Sequence, residues 1–314
     1  MLPKDWIPQE ISLEPLSQKH YKGIAITKDN FKDIEESKTA KLLYIDGGYQ
    51  TILKTPGIAI GLIRIAGVKF LGETKTGIER TEFIAAAQLK EDEYTITTDN
   101  GKITINAHES TLTSAIERAS PETILNLLRR IKELEFADKW SSKDDIIVID
   151  GTLDGSRPGE FEALSKLKNK NILAIAKTST LVTKSGHSIL IVLQNQTNKE
   201  TWYYEPIYEN TNPRHPAIMA AAKLHKNSKH VFRIETFPNQ NFNQLLPNIL
   251  PHAKDPIFRG YPYGLIVADQ LARVSNQEKE IYKTKLNMQN KEIWELLEKE
   301  TRAQDAHDIL DNIG

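Results

Sequence analysis

The sequence predicts an α/β fold in which a mixed β-sheet is flanked by helices. Apolar, β-branched segments such as "GIAIGLIRIAGVKFLG" dominate the first hundred residues and predict antiparallel strands. Helical spacing then alternates with short apolar segments such as "IIVID" and "NILAIA", which predict parallel strands. Beyond Tyr263, the strongly charged sequence predicts a long C-terminal helix.

The chain changes character near residue 40. Residues 1–40 are polar and mixed, which predicts an N-terminal arm with a short helix near Asp29–Glu36. Residues 41–314 contain no internal repeat and no linker rich in proline, glycine or serine. We therefore expect residues 41–314 to form a single domain.

The early strands are expected to pair as hairpins. The first strand is predicted at Leu42–Ile45, ending in Asp46 and a glycine turn, and the isoleucine-rich segment after it is its expected partner. Further on, Asp99-Asn100-Gly101 lies between alternating apolar residues and predicts a tight hairpin turn.

A helix is predicted within Ser114–Trp140. Ser120 is the expected N-cap, and Pro121 occupies the first helical position, where its missing N–H costs no hydrogen bond. Apolar residues recur on one face of this helix, as expected for a side that packs on a sheet; they are Ile124, Leu127, Leu128, Ile131 and Leu134.

The second half alternates between strands and helices. A buried strand is predicted at Ile146–Ile149, followed by a helix at Glu160–Leu167 and the strand "NILAIAK". The next segments are interpreted as a hairpin from "SILIVLQN" and "TWYYEPIY", a short helix near Ile218–Leu224 and the strand "HVFRIET".

Composition excludes several classes of protein. The 314 residues carry a formal net charge of -1, so an anionic partner must be bound by a local basic patch. The absence of cysteine excludes disulfides, iron–sulfur clusters and thiol catalysis. No phosphate-binding G-x-x-x-x-G-K-[ST] loop is present, which argues against a nucleotide hydrolase. We expect a cytoplasmic protein with no membrane segment and no signal peptide.

Two predicted strands end in the same way, "LLYIDGG" with Asp46 and "IIVIDGT" with Asp150. Ligands of α/β sheets gather outside the carboxyl ends of strands, and glycine allows a phosphate or an ion to approach closely. Two aspartates on neighbouring strands repel each other unless a cation lies between them, and oxygen ligands suit a hard divalent ion. The alternative is that Asp-Gly is simple turn chemistry.

Further motifs extend this pattern along the chain. They are "YIDGGY", "RRIKELEFADKW", "VIDGTL", "AIAKTS", "VFRIE" and "GYPYGLIVADQLA". With them the chain resembles the NurA family of nucleases from about residue 40 to 275. The resemblance implies a ribonuclease H-like core and work with the HerA hexameric translocase in DNA end processing.

The resemblance implies a metal site of acidic residues from distant parts of the chain. Asp46, a helical glutamate and Asp150 are the expected ligands of Mn²⁺ or Mg²⁺, bound as two ions. Glu133 and Glu135 are both candidates for the glutamate. Helical spacing favours Glu135, which is expected near the buried face, whereas Glu133 points further round, with plain surface charge as its alternative.

The sequence departs from the family pattern at two positions. Gly48 stands where the family usually has serine, and Asp269 stands where it usually has histidine. Because carboxylate oxygen also binds manganese and magnesium, Asp269 is expected to be the last ligand of the cluster. The alternative is that Asp269 caps the final helix, with activity reduced or metal preference altered.

Three residues near the proposed acids are candidates for contact with nucleic acid. The resemblance implies that Lys177 contacts the scissile phosphate or orients a ligand, although a lysine after a strand is often a solvated turn residue. Tyr261 and Tyr263 are candidates to stack on a base or to hydrogen-bond a phosphate. Packing beside proline is the alternative for both tyrosines.

Two groups of basic residues are candidates for binding the DNA backbone. The run "KLHKNSKHVFR" contains no acid and supplies Lys223, Lys226, Lys229 and Arg233. Beside the candidate glutamates lie Arg129 and Arg130. A solvated surface is the alternative for the run.

The function implied by the resemblance is metal-dependent DNA cleavage. Single-strand endonuclease and 5'-to-3' exonuclease activity are expected in double-strand break end resection, with a HerA-type hexameric ATPase as partner and a homodimer as assembly. One alternative is a ribonuclease or Argonaute-like nuclease on the same core, because the metal site does not distinguish DNA from RNA. Another is a catalytically weak adaptor of a DNA-translocase complex.

Overall fold

The fold is described from a computed structural model of the chain. The structure describes residues 11–37, 39–99, 101–114 and 117–311, and for 302–311 it describes the helix alone. The first ten residues of the predicted N-terminal arm lie outside this part. The chain divides into two compact units: the first spans Met1–Asp46, Gly67–Ile78 and Ala137–Ala268, and the second spans Gly47–Ala66, Glu79–Phe136 and Asp269–Gly314.

Strands β1 to β7 precede the first helix. They are β1 (Tyr21–Gly23), β2 (Phe31–Asp33), β3 (Lys41–Lys54), β4 (Ile58–Leu71), β5 (Thr74–Lys90), β6 (Glu93–Thr98) and β7 (Gly101–Asn106). The later strands are β8 (Asp145–Asp150), β9 (Asn171–Ala176), β10 (Trp202–Tyr204), β11 (Tyr208–Asn210), β12 (Ile218–Lys223) and β13 (Phe232–Thr236).

The helices follow the strand-rich start of the chain. They are α1 (Pro121–Trp140), α2 (Glu160–Leu167), α3 (Ile189–Asn195), α4 (Phe242–Ile249), α5 (Tyr263–Ala272), α6 (Asn276–Gln289) and α7 (Lys291–Asp311). The predicted mixed sheet with flanking helices is confirmed.

In the first unit, strands run in the order β2-β10-β12-β13-β9-β8-β3. Strands β3, β8 and β9 are parallel, and β13 is antiparallel to β9. The parallel strands are built from continuous apolar runs, and most of their residues are buried, as expected for strands covered on both faces. The mixed sheet sets the carboxyl ends of β8 and β9 beside the part of β3 that carries Asp46.

In the second unit, strands follow the order β3-β4-β5-β6-β7. Thr98 pairs with Gly101 across the predicted tight turn between β6 and β7, so that hairpin is confirmed. Helix α1 packs on this sheet, where a Cβ at Gly61 would lie 2.9 Å from Leu125 Cδ1. The start of α1 is also as predicted, since the Ser120 hydroxyl accepts a hydrogen bond from the Thr123 amide at 3.1 Å.

The predicted glycine turn after Asp46 is wrong. Strand β3 continues through Gly47 and Gly48 as far as Lys54. The reason is packing: a Cβ at Gly48 would lie 2.4 Å from the Ala272 carbonyl oxygen. Glycine here allows the close approach of another backbone and not a change of direction.

Three predicted secondary structures are also wrong. The segment near Asp29–Glu36 is helical only in a 3-10 turn at Lys28–Asn30 and continues as strand β2, because Phe31 packs edge-to-face on Trp202 and Tyr204. "SILIVLQN" forms helix α3, in which Ile189, Val192 and Leu193 are buried at helical spacing. Ile218–Leu224 contains strand β12, paired on both sides by β10 and β13, which overrides the helical propensity of its alanines.

The C-terminal region is helical as predicted, but it consists of three helices. Ser275 and Glu278 form a reciprocal capping box that begins α6, and Asn290 separates α6 from α7. Trp294 anchors α7 by packing in a cluster with three residues of the second-unit sheet, Ile52, Leu53 and Leu62. Within the part of the chain that the structure describes, no helix is both long and apolar enough to cross a bilayer.

Candidate active site

Asp46 and Asp150 occupy equivalent places on the neighbouring parallel strands β3 and β8. Ile45 of β3 pairs with Ile149 of β8, and the next residues of these strands are Asp46 and Asp150. Side chains alternate along strands, so the two carboxylates face the same side of the sheet. Adjacent strands lie about 4.8 Å apart, which places the carboxylates within reach of a common cation.

The surroundings of the two aspartates differ. Asp46 lies inside a continuing strand and is nearly buried. Asp150 is the last residue of β8, and Gly151 leaves the strand with φ 101°, in the left-handed region that glycine adopts without steric cost. The Asp150 side chain retains 24% of its exposure, so it is the more accessible of the two.

Lys177 follows β9 and its ammonium group contacts Asp150. The Nζ atom lies 2.7 Å from Asp150 Oδ2 and 5.2 Å from the centre of the Tyr261 ring. Tyr261 is buried, with its ring packed against Phe232 and Phe258. Lys177 and the Tyr261 ring therefore lie together at the carboxyl end of β8, where Asp150 is the last residue.

The "GYPYG" segment leads from Tyr261 into helix α5. Gly264 lies against Tyr44, since a Cβ at this position would fall 2.0 Å from the Tyr44 ring. Helix α5 thus begins directly on the strand that carries Asp46. Tyr263 is exposed, unlike Tyr261, so of the two tyrosines it is the one with a ring available to a base.

The two candidate glutamates of α1 are placed opposite to the expectation. Glu133 is 1% exposed and accepts hydrogen bonds at 2.8 Å from both Arg129 and Arg130. Glu135 is partly exposed and pairs with Lys132 at 2.8 Å. The prediction that Glu135 faces the buried side and Glu133 the solvent is wrong.

Glu133 is connected through Arg129 to strand β3 in the second unit. Arg129 Nη1 donates at 2.8 Å to Glu133 and at 2.9 Å to the Gly47 carbonyl, which belongs to the residue after Asp46 in sequence. Arg129 and Arg130 are both largely buried in this network. Their guanidinium groups hold Glu133 in place, and this contact rather than an exposed basic surface explains their position.

Asp269 lies on α5, and its carboxylate pairs with Arg273 one helical turn later at 2.7 Å. The Arg273 carbonyl accepts a 2.6 Å hydrogen bond from the buried Arg64. Arg64 also binds Glu82 and Glu278, so it fixes the corner where α5 gives way to α6. Asp269 lies inside α5 and caps neither later helix: α6 begins at the Ser275 cap, and α7 begins only after Asn290.

The basic run around β13 divides into two parts. Arg233 is directed to the buried Glu235, to which its Nε donates at 2.7 Å, and its side chain is 14% exposed, so its charge is already compensated within the fold. Lys226 and Lys229 are exposed, and Lys223 is half-buried. These three lysines remain candidates for contact with a nucleic-acid backbone.

A second loop adds cations to the same area. Gly260 packs against Ser228, because a Cβ there would lie 2.5 Å from the serine hydroxyl. Burial lowers the pKa of His225, and nearby positive charges lower it further; these belong to Arg259, Lys226, Lys254 and Lys223. We call Lys223, Lys226, Lys229, Lys254 and Arg259 the basic loop surface. Sequence reasoning missed Lys254 and Arg259, which are far from the run along the chain.

A buried acid in β13 was also missed. Glu235 is fully buried, and its carboxylate accepts from His215 at 2.8 Å and from the Leu153 amide at 2.7 Å. Burial raises the pKa of Glu235, but the His215 hydrogen bond and the Arg233 charge outweigh it and hold the pKa below its ordinary value. An acid within the apolar strand "VFRIET" is the sequence signal for such a site.

The donor groups at Asp46 and Asp150 fit a hard divalent ion, which prefers carboxylate oxygen. Across the described residues, no group of three or more acidic or histidine side chains is gathered closely enough to hold a metal. The candidate acids instead have basic partners: Lys177 at Asp150, Arg129 and Arg130 at Glu133, and Arg273 at Asp269. A divalent ion at Asp46 and Asp150 would take over the charge compensation that Lys177 now supplies to Asp150.

A crystal structure of another protein shares the overall α/β fold of this chain. The crystal structure of the NurA nuclease from Sulfolobus solfataricus matches with a TM-score of 0.53 and 16% identity, over 83% of this chain and 88% of that one. Endonuclease V from Ciona intestinalis, in complex with a DNA containing inosine and a ribo-adenosine, matches with a TM-score of 0.42 and 13% identity, over 80% and 92%.

The family is defined by the sequence itself. The NurA domain matches residues 41–274, three quarters of the chain and nearly the range over which the motifs agree. The chain therefore belongs to the NurA family. A comparison with curated proteins finds no match to the sequence.

Proposed function

We propose that the protein is a metal-dependent nuclease that hydrolyses DNA phosphodiester bonds. The observation that carries the proposal is the register of β3 and β8, which sets Asp46 and Asp150 side by side with Lys177 next to Asp150. Family membership supports the same reaction, as the NurA structure from Sulfolobus solfataricus is that of a nuclease.

Asp46 and Asp150 would hold divalent metal, Mn²⁺ or Mg²⁺, as two ions. When bound, such ions activate water and neutralise charge on the phosphate. Lys177 then turns from Asp150 towards a phosphate oxygen, which a flexible, half-exposed ammonium group is able to do. Tyr261 packs beside Lys177 and limits the positions that its ammonium group can take.

Glu133, Glu135 and Asp269 remain candidates for the same reaction. Glu133 is the better glutamate on physical grounds, because it is buried and its two oxygens are fixed by arginines, whereas Glu135 makes an ordinary surface pair. A fixed carboxylate loses little freedom when it binds an ion, but both Glu133 oxygens accept from arginines, so Glu133 would bind an ion only in exchange for these contacts.

The basic loop surface is proposed to hold the DNA backbone. Lys223, Lys226, Lys254 and Arg259 all lie close enough to His225 to act on its charge, and Lys229 is exposed on the same run. Next to Lys229 in sequence, His230 stacks on Phe258 with ring centres 5.3 Å apart. Cations that track phosphates beside aromatic rings are typical of single-strand binding. Tyr263, exposed at the start of α5, is a further candidate to stack on a base.

The proposal includes two partners suggested by the family, a HerA-type hexameric ATPase and a second copy of the chain in a homodimer. Exposed apolar side chains on α6 and α7 support the presence of a partner, since surfaces rich in such residues are often interfaces; they are Ile281, Met288, Ile293 and Leu296. Co-elution of the purified protein with a HerA-type ATPase, and its mass in solution, test these two assignments.

One digestion experiment tests the reaction. Linear single-stranded DNA, double-stranded DNA and RNA of one sequence are incubated with the protein and Mn²⁺, with EDTA as the control. We expect cleavage of DNA with Mn²⁺ and none with EDTA. Cleavage confined to RNA would support the ribonuclease alternative, and no cleavage of any substrate would support the adaptor.

Binding of DNA in EDTA tests the basic loop surface separately from the chemistry. Replacing both Lys226 and Arg259 by glutamine removes two phosphate contacts, so affinity falls and the dependence of log Kd on log salt becomes less steep by about 1 to 2. The matched control is Lys22→Gln, an exposed lysine that pairs with Glu209 in strand β11. Equal affinity in the double variant and the control would show that DNA binds elsewhere.

A further inference from the structure

Glu235 lies one strand beyond β9 from the proposed metal ligand Asp150. Across the sheet, Glu235 pairs with Ala174, and Ala174 pairs with Ile149, the residue before Asp150. The Glu235 side chain is fully buried and is not among the candidate metal ligands. A buried carboxylate in this row calls for an explanation, because burying an ionised group is costly unless it is fully hydrogen-bonded.

Both oxygens of Glu235 are hydrogen-bonded. Oε1 accepts from Nε of Arg233 at 2.7 Å, and Oε2 accepts from Nε2 of His215 at 2.8 Å and from the Leu153 amide at 2.7 Å. The hydrogen bond from the Leu153 amide connects this network to the chain just after Asp150. Glu235 therefore ties that segment to β13.

The segment from Gly151 to Gly155 is attached at three points. The Gly151 amide donates to the Ile175 carbonyl at 3.0 Å, and the Gly155 amide donates to the Arg214 carbonyl at 2.9 Å. Between them, Leu153 is held by Glu235. Of these three hydrogen bonds, the middle one is accepted by a side chain and the other two by backbone carbonyls, so mutation of Glu235 removes the middle one.

The network continues from His215 to the start of the chain. Nδ1 of His215 lies 2.9 Å from the Tyr21 hydroxyl, which also accepts a hydrogen bond from Asn212 at 3.0 Å. His215 follows Arg214, whose carbonyl holds Gly155. The same few residues thus fix Glu235 and the far end of the segment that it anchors.

We infer that Glu235 is a positioning residue for Asp150: it fixes the path of residues 151–155 and thereby holds the Asp150 carboxylate in the orientation needed to bind a divalent ion. This inference rests on the proposed function for the role of Asp150. The anchoring itself is independent of metal. Carboxylates that support a ligand from outside the first coordination sphere typically change metal affinity by about 10- to 100-fold when mutated.

Two variants of Glu235 separate anchoring from general stability. Glu235→Gln keeps the size of the side chain but places an amide NH₂ against one of its donors. Glu235→Asp keeps the charge beside Arg233 but is one methylene too short to reach the Leu153 amide. The matched control is Thr236→Val, which removes buried hydrogen bonds to Ile172 and Gln240 from the next residue of β13 without touching residues 151–155.

The first measurement is amide hydrogen exchange of the metal-free proteins, at a temperature where all variants are folded. We expect exchange of the Leu153 amide to rise at least about 10-fold in both Glu235 variants and to stay at the wild-type rate in Thr236→Val. The second is calorimetric binding of Mn²⁺, with a Kd raised about 10-fold or more in the Glu235 variants and unchanged in the control.

The outcomes distinguish the two parts of the proposal, which are the anchoring of residues 151–155 and the positioning of Asp150. Wild-type exchange at Leu153 in both Glu235 variants overturns the anchoring, as does an equal rise in Thr236→Val. Faster exchange with an unchanged Kd for Mn²⁺ overturns the positioning role. If the wild-type protein binds no Mn²⁺, the proposed function fails, while faster exchange at Leu153 still establishes the anchoring.

Discussion

Asp46 and Asp150 share a sequence pattern, but the backbones that carry them behave differently. At Asp150 the strand ends, and Gly151 takes a left-handed conformation, with no atom within 4 Å of the place where a Cβ would lie. At Asp46 the strand continues, and Gly48 meets the Ala272 carbonyl so closely that no side chain fits. The comparison shows that glycine after an aspartate serves backbone conformation in one place and close packing in the other.

This difference has a chemical consequence. Strand β3 continues before and after Asp46, and the side chain is nearly buried, so the sheet sets its position. Strand β8 ends at Asp150, and the chain after this residue is held by Glu235 and by backbone hydrogen bonds. Asp150 is therefore the acid whose orientation depends on its neighbours.

The largest predicted effect tests whether the two aspartates are equivalent in function. Asp46→Asn and Asp150→Asn are each expected to lower Mn²⁺-dependent DNA cleavage at least about 10³-fold, or ~4 kcal/mol of transition-state stabilisation. The amide keeps the size of the side chain but lacks the negative charge that a carboxylate offers to a divalent ion. Cleavage rates at saturating Mn²⁺ measure this, with circular dichroism as the check on folding. A variant that keeps its activity removes its aspartate from the proposed site.

The next prediction compares the two glutamates of α1. Glu133→Gln is expected to lower cleavage about 10²-fold, by analogy with the loss of one fixed electrostatic group from an active site. Glu135→Gln is the matched control, and its rate is expected to stay within about twofold because exposed ion pairs contribute little. The reverse order of effects would assign the role to Glu135.

Substitution of the two glycines separates close packing from backbone conformation. Gly48→Ala forces a Cβ against a backbone oxygen and is expected to cost about 1–3 kcal/mol, as overpacking does. Gly151→Ala meets no atom but must adopt a left-handed conformation, which costs about 1–2 kcal/mol. Gly151→Asn is expected to restore part of that loss, since asparagine tolerates this conformation, whereas Gly48→Asn is not. Thermal unfolding measures all of these variants; an equal response to asparagine at both positions would contradict the distinction.

The smallest effect concerns the corner that supports Asp269. Hydrogen bonds from Arg64 and from the Ser275 amide lower the pKa of Glu278 to about 2. A carboxylate with a depressed pKa stabilises the fold above its ordinary pKa, and this contribution is lost as pH falls from about 4.5 towards 2. Glu278→Gln is expected to flatten the dependence of unfolding free energy on pH in that window. Denaturant unfolding between pH 5 and 2 measures the slope, and an unchanged slope would show that Glu278 is not its source.

The sequence was sufficient where the local pattern and the packing agree. Helix α1 begins at its predicted cap because Ser120 and Pro121 act within one turn of the backbone. The tight turn between β6 and β7 depends on adjacent residues only. The neighbouring positions of Asp46 and Asp150 agree with the sequence because each follows an apolar segment and these two segments pair, whereas the turn expected after Asp46 is wrong.

The remaining features depend on contacts between distant parts of the chain. Strand β12 resembles a helix in sequence but pairs with two neighbours, and this pairing decides its conformation. The burial of Glu133 could not be derived from spacing on α1. It depends on Arg129, which binds both Glu133 and the carbonyl of Gly47. Lys254 and Arg259 lie near the basic run in space, where Gly260 packs on Ser228, although they are far from it along the chain.

The most direct test of the account is Mn²⁺ binding without DNA. Calorimetry on the wild-type protein, Asp46→Asn and Asp150→Asn measures whether the two strands hold an ion together. We predict binding to the wild-type protein and at least a 10-fold weaker Kd in each variant, about 1.4 kcal/mol or more. Wild-type affinity in either variant would contradict the claim that these neighbouring aspartates form the metal site.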